Sequence, residues 1–452
     1  MPWVLPTLVL VTLAAVALLY VRGDLNSVLC DGPCPAEFVT APEGIVELTV
    51  AADRPIAESA EPIDAKAVQA AVADSLDSAA LGPRVGFVAL DARDGKKLAQ
   101  SGSGALTPAS TTKVLTAFAA LAELGPETQF ATTAVLQGNQ VVLVGGGDPY
   151  LTAKQVKATT VKKASLARLA KLAAAKLGDS PVTLGYDVSF FTGPAVSSGW
   201  ESTYVSSQIV APVSPLWIDR GRVGLGRSSD PAAAAAAAFA VELRAAGVKV
   251  TGAPVPAEAA ESAEVIARVK SAPVTRILDR MLVDSDNEVA EVMLRQAAIG
   301  AGKPGSFESG TETVKLALKS AGVSTSGLEL HDGSGLSRKN RIDPRTLAEA
   351  LVSAQNAAAT SPLISALPVG GFNGTMENRF GQATSARGLV HAKTGTLTGV
   401  HALTGIATLP GGRPIAFAIL ADKTEGLNPL QTQAAIDRVA ADLVGCACRV
   451  TN

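Results

Sequence analysis

Apolar residues run almost unbroken from Trp3 to Val21 and stop at Arg22-Gly23-Asp24, about the length that crosses the hydrocarbon core of a bilayer. No basic residue precedes the run and no small-x-small cleavage pattern closes it, so residues 1–22 read as a signal anchor in preference to a removed signal peptide. Residues 23–63, rich in Ala, Pro and Glu with one short strand pattern at Ile45–Val50, read as a tether. Periodicity then changes. Asp64 caps an amphipathic helix reaching about Leu76, Arg84–Asp91 alternates as a strand, and Asp91–Gly95 turns it back as a hairpin. Ser110–Leu124 places Val114, Leu115, Phe118, Leu121 and Ala122 at helical spacing, with one face inward, before Gly125-Pro126 ends it. From 127 to 226 the texture is short strands, glycine turns and one basic helix around Lys162–Leu177, which reads as an inserted mainly-β domain. Asp230-Pro231 opens an alanine-rich helix ending at Gly247, and a further helix lies near Thr275. Leu389–Lys393, Val400–Leu409 and Pro414–Ala421 read as strands and Pro429–Val444 as a closing helix. The pattern predicts an α+β fold, an antiparallel sheet packed with helices over 64–126 and 227–452, interrupted by the insertion.

Composition narrows the function. The chain carries 39 basic and 41 acidic residues, a net charge of -2, with no like-charge block and only 4% aromatics, so nucleic acid is excluded as a partner. Four cysteines sit at the two ends. An exported chain meets an oxidising compartment, and a ring closed between Cys446 and Cys448 is very small, so bridges from Cys30 and Cys34 to Cys446 and Cys448 are expected. No histidine accompanies them, which argues against zinc, and Val28-Leu29 before Cys30 argues against a lipid anchor.

Three strings occur once each and in order: Ser110-Thr111-Thr112-Lys113, Ser285-Asp286-Asn287 and Lys393-Thr394-Gly395. Singly, each is an ordinary cap, turn or strand end; together they describe one site. A serine hydroxyl needs an adjacent base, and a lysine three residues on along a helix returns to the same face. That lysine must be neutral to accept a proton, through burial or through a neighbouring cation such as Lys393. Ser285 and Asn287 alternate across a short loop toward one cleft, the serine relaying a proton to the leaving amine and the asparagine holding the substrate amide. Gly395 leaves room for a second backbone beside its strand, so substrate is expected to bind as an added strand. Lys393, Thr394 and Thr396 then offer donors to a terminal carboxylate, and the Thr396 and Ser110 N–H groups form an oxyanion hole.

The triplet is the signature of penicillin-binding proteins and serine β-lactamases. From about Arg84 to Val444 the chain resembles the class C penicillin-binding proteins, D-alanyl-D-alanine carboxypeptidases and endopeptidases of bacterial walls. The likeness includes Gly145-Gly146-Gly147-Asp148-Pro149, Ala211–Leu216, His331–Arg338 and Gly374–Phe380. It implies a DD-peptidase-like fold, an exported protein at the extracytoplasmic face of the cell membrane or in the cell wall or periplasm, peptidoglycan stem peptides as substrate, an acyl-enzyme on Ser110, β-lactams as covalent inhibitors, and no cofactor or metal. Family members often carry a pocket for the diamino acid side chain of the stem, for which Arg338 and Glu201 are the candidates. Only Gly221–Ser229 stands where many relatives carry a further domain. A β-lactamase or esterase, and an inactive wall-binding protein, are the alternatives; the long insertion and the complete motifs argue against them in turn.

Overall fold

A computed structural model describes residues 62–156, 161–409 and 411–448. In chain order they form α1 (Ala65–Leu76), β1 (Arg84–Asp91), β2 (Lys97–Ser101), α2 (Thr112–Leu124), β3 (Ala131–Gln137), β4 (Gln140–Val144), α3 (Leu166–Ala174), β5 (Thr183–Asp187), β6 (Arg222–Val223), β7 (Gly226–Arg227), α4 (Pro231–Ala245), β8 (Val255–Pro256), β9 (Glu264–Lys270), α5 (Val274–Asp284), α6 (Asn287–Gly300), α7 (Phe307–Ser320), α8 (Pro344–Asn356), β10 (Val390–Leu397), β11 (Val400–Thr408), β12 (Pro414–Asp422) and α9 (Pro429–Val444). The expected membrane segment, tether, Cys30 and Cys34 lie outside the described residues. Among the described helices none is long and apolar enough to cross a membrane.

The main sheet is antiparallel, in the order β10-β11-β12-β1-β2. Period-two alternation explains why both its faces are covered. On β12, Phe417 and Ile419 enter the cluster shared with α1 and α9, while Ala416, Ala418 and Leu420 enter the larger cluster built by α2 and α5–α8. Helix α2 sits at the centre of that second layer and buries every residue from Thr112 to Leu121, not the single face expected from its spacing. Neighbours on several sides, α5, α6, α7 and α8, account for the difference. Asp64, Asp230 and Asn428 cap α1, α4 and α9, each side chain accepting a backbone N–H of the first turn.

A second sheet has the order β8-β5-β4-β3-β9 and is mixed, with β4/β5 and β5/β8 parallel. Its core joins Leu143 and Leu184 to Leu169 of α3 and to Phe239 and Leu243 of α4. The expected boundary at Gly226 is therefore too early, because α4, β8 and β9 all belong to this layer. The change of texture near 226 marks the β6–β7 hairpin, and the alanines that make α4 look like a separate element let it pack closely on α3.

The cysteine expectation is also corrected. Cys446 is joined to Cys448, and their 5.1 Å Cα separation lies within the span a disulfide bridges, so two positions of sequence separation are no obstacle.

One buried ion pair ties the layers together beside the third motif. Arg379 and Asp437 of α9 are nearly inaccessible, with Arg379 Nε 2.8 Å from Asp437 Oδ1, and Asp437 Oδ2 also accepts the Phe380 N–H at 3.2 Å. Asp437→Ala leaves the guanidinium buried and unpaired, and a loss of about 3–5 kcal/mol in urea-unfolding free energy is expected; a loss below about 1 kcal/mol contradicts this account.

Candidate active site

Ser110 lies in a 3-10 turn, Ala109–Thr111, that runs directly into α2, and Lys113 is the second residue of that helix. The turn is held in an uncommon conformation: Ala109 has φ 48°, in the left-handed region. Gly335 explains how. A Cβ on Gly335 would stand 1.8 Å from the Ala109 carbonyl oxygen, so only glycine lets this loop press on the residue before the nucleophile.

Lys113 is fully buried, and its Nζ has three oxygen neighbours: Ser110 Oγ at 3.0 Å, Asn287 Oδ1 at 2.7 Å and the Ser334 carbonyl at 2.7 Å. A neutral amine has two hydrogens and one lone pair. Neither the amide oxygen nor the carbonyl can donate, so they take the two hydrogens and the lone pair is left for the Ser110 hydroxyl proton. Burial lowers the Lys113 ammonium to about 8, against the opposing pull of Glu291, Asp332, Asp286 and Glu288. Lys393, expected to supply a depressing positive charge, is not what lowers it. Lys393 is itself fully buried and held well below the usual lysine range, by burial first and then by Lys113 and Arg379.

Ser285-Asp286-Asn287 forms the break between α5 and α6. Ser285 ends α5 at φ 56° and half-buried, and Asp286 caps α6 by accepting the Val289 N–H at 3.1 Å. Asn287 commits its Oδ1 to Lys113, where the sequence had pointed its amide at substrate. The carboxylates on either side of Asn287 are clamped by the β6–β7 hairpin: Arg220, just before it, pairs with Asp286, and Arg227, at its end, pairs with Glu288. The short stretch from Arg220 to Arg227 thus braces the second motif.

Lys393, Thr394, Gly395 and Thr396 lie on β10, an edge strand whose only strand partner among the described residues is β11. Ala392 donates its N–H outward to the Pro368 carbonyl at 2.9 Å, and Gly370 donates to the outward carbonyl of Val390 at 2.8 Å. Residues two apart point alike, so the N–H groups of Thr394 and Thr396 also face the outer edge. There Thr396 is exposed, beside the turn that holds Ser110. The close backbone at Gly395 belongs to the protein itself: a Cβ there would lie 2.6 Å from the Pro108 carbonyl. Gly395 lets the strand abut the nucleophile turn. Lys393 Nζ donates to the Thr394 carbonyl at 2.9 Å, and Thr394 Oγ1 bonds Thr375 Oγ1 at 2.9 Å.

Arg338 and Glu201 approach to 3.9 Å at the surface, with side chains 38% and 54% exposed, and Arg338 also donates to the Thr398 carbonyl at the β10–β11 turn. Sequence reasoning missed the Ser334 carbonyl, Glu291, Thr375 and the two hairpin arginines. A backbone acceptor carries no residue signal, whereas Glu291 is visible as an acid one helical turn after Asn287.

A model of the D-Ala-D-Ala carboxypeptidase 3 (S13) family matches residues 68–226 and 225–443. The chain is 34% identical to the carboxypeptidase DacB of Mycolicibacterium smegmatis over 98% of this chain and 96% of that one, and 30% identical to the D-alanyl-D-alanine carboxypeptidase of Actinomadura sp. over 82% and 83%. Its fold is similar to that of penicillin binding protein 4 from Haemophilus influenzae, with a TM-score of 0.70 at 24% identity, covering 83% of this chain and 98% of that one. A family match spanning both halves of the peptidase core and the second sheet, around a serine paired with a buried lysine, makes this chain a member of the D-Ala-D-Ala carboxypeptidase 3 (S13) family.

Proposed function

We propose that the protein is a serine D-alanyl-D-alanine carboxypeptidase or endopeptidase that cleaves peptidoglycan stem peptides through an acyl-enzyme on Ser110. The observation that carries this reading is the Lys113 amine, buried and held by two oxygens that cannot donate, with its lone pair left for the Ser110 hydroxyl. Ser110 Oγ attacks the carbonyl carbon of the penultimate D-alanine while its proton passes to Lys113 Nζ. The N–H groups of Ser110 and Thr396 receive the developing oxyanion. Lys113 returns the proton by way of Ser285 to the leaving nitrogen, the C–N bond breaks, and an ester on Ser110 remains. Water then attacks that ester, giving its proton to the again-neutral amine and restoring the serine hydroxyl.

Substrate lies along the outer edge of β10 beyond Ala392, at Thr394 and Thr396, as an added strand, its terminal carboxylate received by Lys393, Thr394 and Thr396. β-Lactams acylate the same hydroxyl. Arg338 and Glu201 border the entrance and read the diamino acid side chain of the stem. The peptidase unit comprises residues 64–126 and 271–448, the second sheet with its helices being an insertion. Action on peptidoglycan places the protein outside the cytoplasm, held at the membrane by residues 1–22.

Three outcomes test this. Fluorescent penicillin labels the wild-type protein covalently on Ser110, located by mass spectrometry of the labelled peptide, and Ser110→Ala takes no label; label at another residue refutes the assignment. Because a group that titrates at about 8 becomes neutral as pH rises, the acylation rate increases about tenfold per pH unit below that value and levels off above it; a rate flat through this range removes Lys113 as the base. Gly335→Ala drives a Cβ into the Ala109 carbonyl, and acylation is expected to fall at least about a hundredfold, read as the labelling rate of the folded variant.

A further inference from the structure

Helix α6 carries Asn287, Glu291 and Arg295 at successive four-residue steps, so the three stack along one face. Arg295 is occupied by carbonyls, bonding those of Thr192, Pro194 and Gly305, and stacks 4.4 Å from the Phe307 ring. Glu291 is fully buried, and its two oxygens accept from two consecutive peptides, Gly333 N–H at 2.8 Å and Ser334 N–H at 2.9 Å. The carbonyls of those same two residues reach the nucleophile helix: Gly333 O accepts from Thr116 Oγ1 at 2.7 Å and Ser334 O from Lys113 Nζ at 2.7 Å. The loop also rests hard on α6, since a Cβ on Gly333 would lie 2.9 Å from the Ala290 carbonyl.

We propose that Glu291 is a positioning residue for acylation, fixing through the Gly333–Ser334 segment the carbonyl against which the Lys113 amine is held. The inference rests on Lys113 being the base that activates Ser110. Glu291 touches neither nucleophile nor substrate; it acts through the loop. An amide in its place offers one acceptor oxygen where the loop presents two N–H groups.

Its charge has a second effect. The ionisable groups around Lys113 are Glu291, Asp332, Asp286 and Glu288, with Lys393 from β10 on the far side; those around Glu291 are Asp332, Arg295 and Lys113. Asp332 is satisfied as an anion by four donors, the N–H groups of Gly335 and Ser337, Trp200 Nε1 and Asn340 Nδ2. Burial, and then Asp332, pushes the Glu291 carboxyl up to about 8. A negative charge at 291 favours the protonated amine, so removing it makes the amine neutral at lower pH.

Labelling rates with fluorescent penicillin, followed from about pH 5 to about pH 10, test both effects. Glu291→Gln is expected to lower the alkaline plateau at least tenfold and to move the rising limb to lower pH. Glu291→Asp keeps the charge on a shorter arm, so its plateau falls while its limb stays near the wild-type position. An unmoved limb in folded Glu291→Gln, or a wild-type plateau in either variant, overturns the inference. Should Glu291→Gln fail to fold, the plateau of Glu291→Asp decides alone. The underlying assignment fails differently: wild-type protein would then lack the rising limb, or label away from Ser110.

Discussion

The site depends on one constraint, an amine in a dry interior that has to stay uncharged while remaining hydrogen-bonded. Two non-donating oxygens meet it. Asn287 Oδ1 and the Ser334 carbonyl satisfy the hydrogens of Lys113 without stabilising its ammonium as carboxylates would, and they leave one direction open toward Ser110. Since the two oxygens come from different elements, α6 and the loop after Asp332, the base is formed only when both of these are in register with α2. A void or a shifted loop would admit water, and water would restore the charge.

That explains why so much structure converges on short motifs. Asp286 and Glu288, each side of Asn287, are nearly buried carboxylates that raise the proton affinity of the amine, and their pairing with Arg220 and Arg227 brings a compensating positive charge beside each. Asp332 spreads its charge over four donors. Gly335 and Gly395 serve the same geometry from opposite sides, one letting a loop press on Ala109 and the other letting β10 press on Pro108. Both lysines of the cleft are fully buried and both are held below the usual lysine range by that burial, the one on the strand further depressed by the nearby Lys113 and Arg379.

How much of this is legible in the sequence depends on the kind of signal. The last three strands and helices α1, α4 and α9 follow from alternation and helical spacing, with Asp64 and Asp230 marking the starts of α1 and α4, because those cues are local. Helices α6, α7 and α8 are missed: most of α6 is buried on all sides, so it shows no clear polar face. Strands β8 and β9 join the second sheet by pairing with residues far away in sequence, so the extent of that layer beyond Gly226 leaves no local mark. Motif side chains are found from their spacing; the acceptor at Ser334 and the outward N–H groups of β10 are main-chain atoms and become visible only with the fold. The Cys446–Cys448 pairing goes against a ring-size argument, since the chain past α9 brings those two Cα atoms to a bridging distance.

The second sheet lies in the chain between the nucleophile and the residues that complete its surroundings, with Lys113 and Asn287 174 positions apart. Closing so long a loop is slow relative to forming helices and hairpins, and the intervening layer has its own core to assemble first. The Lys113 amine therefore gains its Asn287 partner only as the two halves dock, so the reactivity of the hydroxyl waits on the topology of the chain.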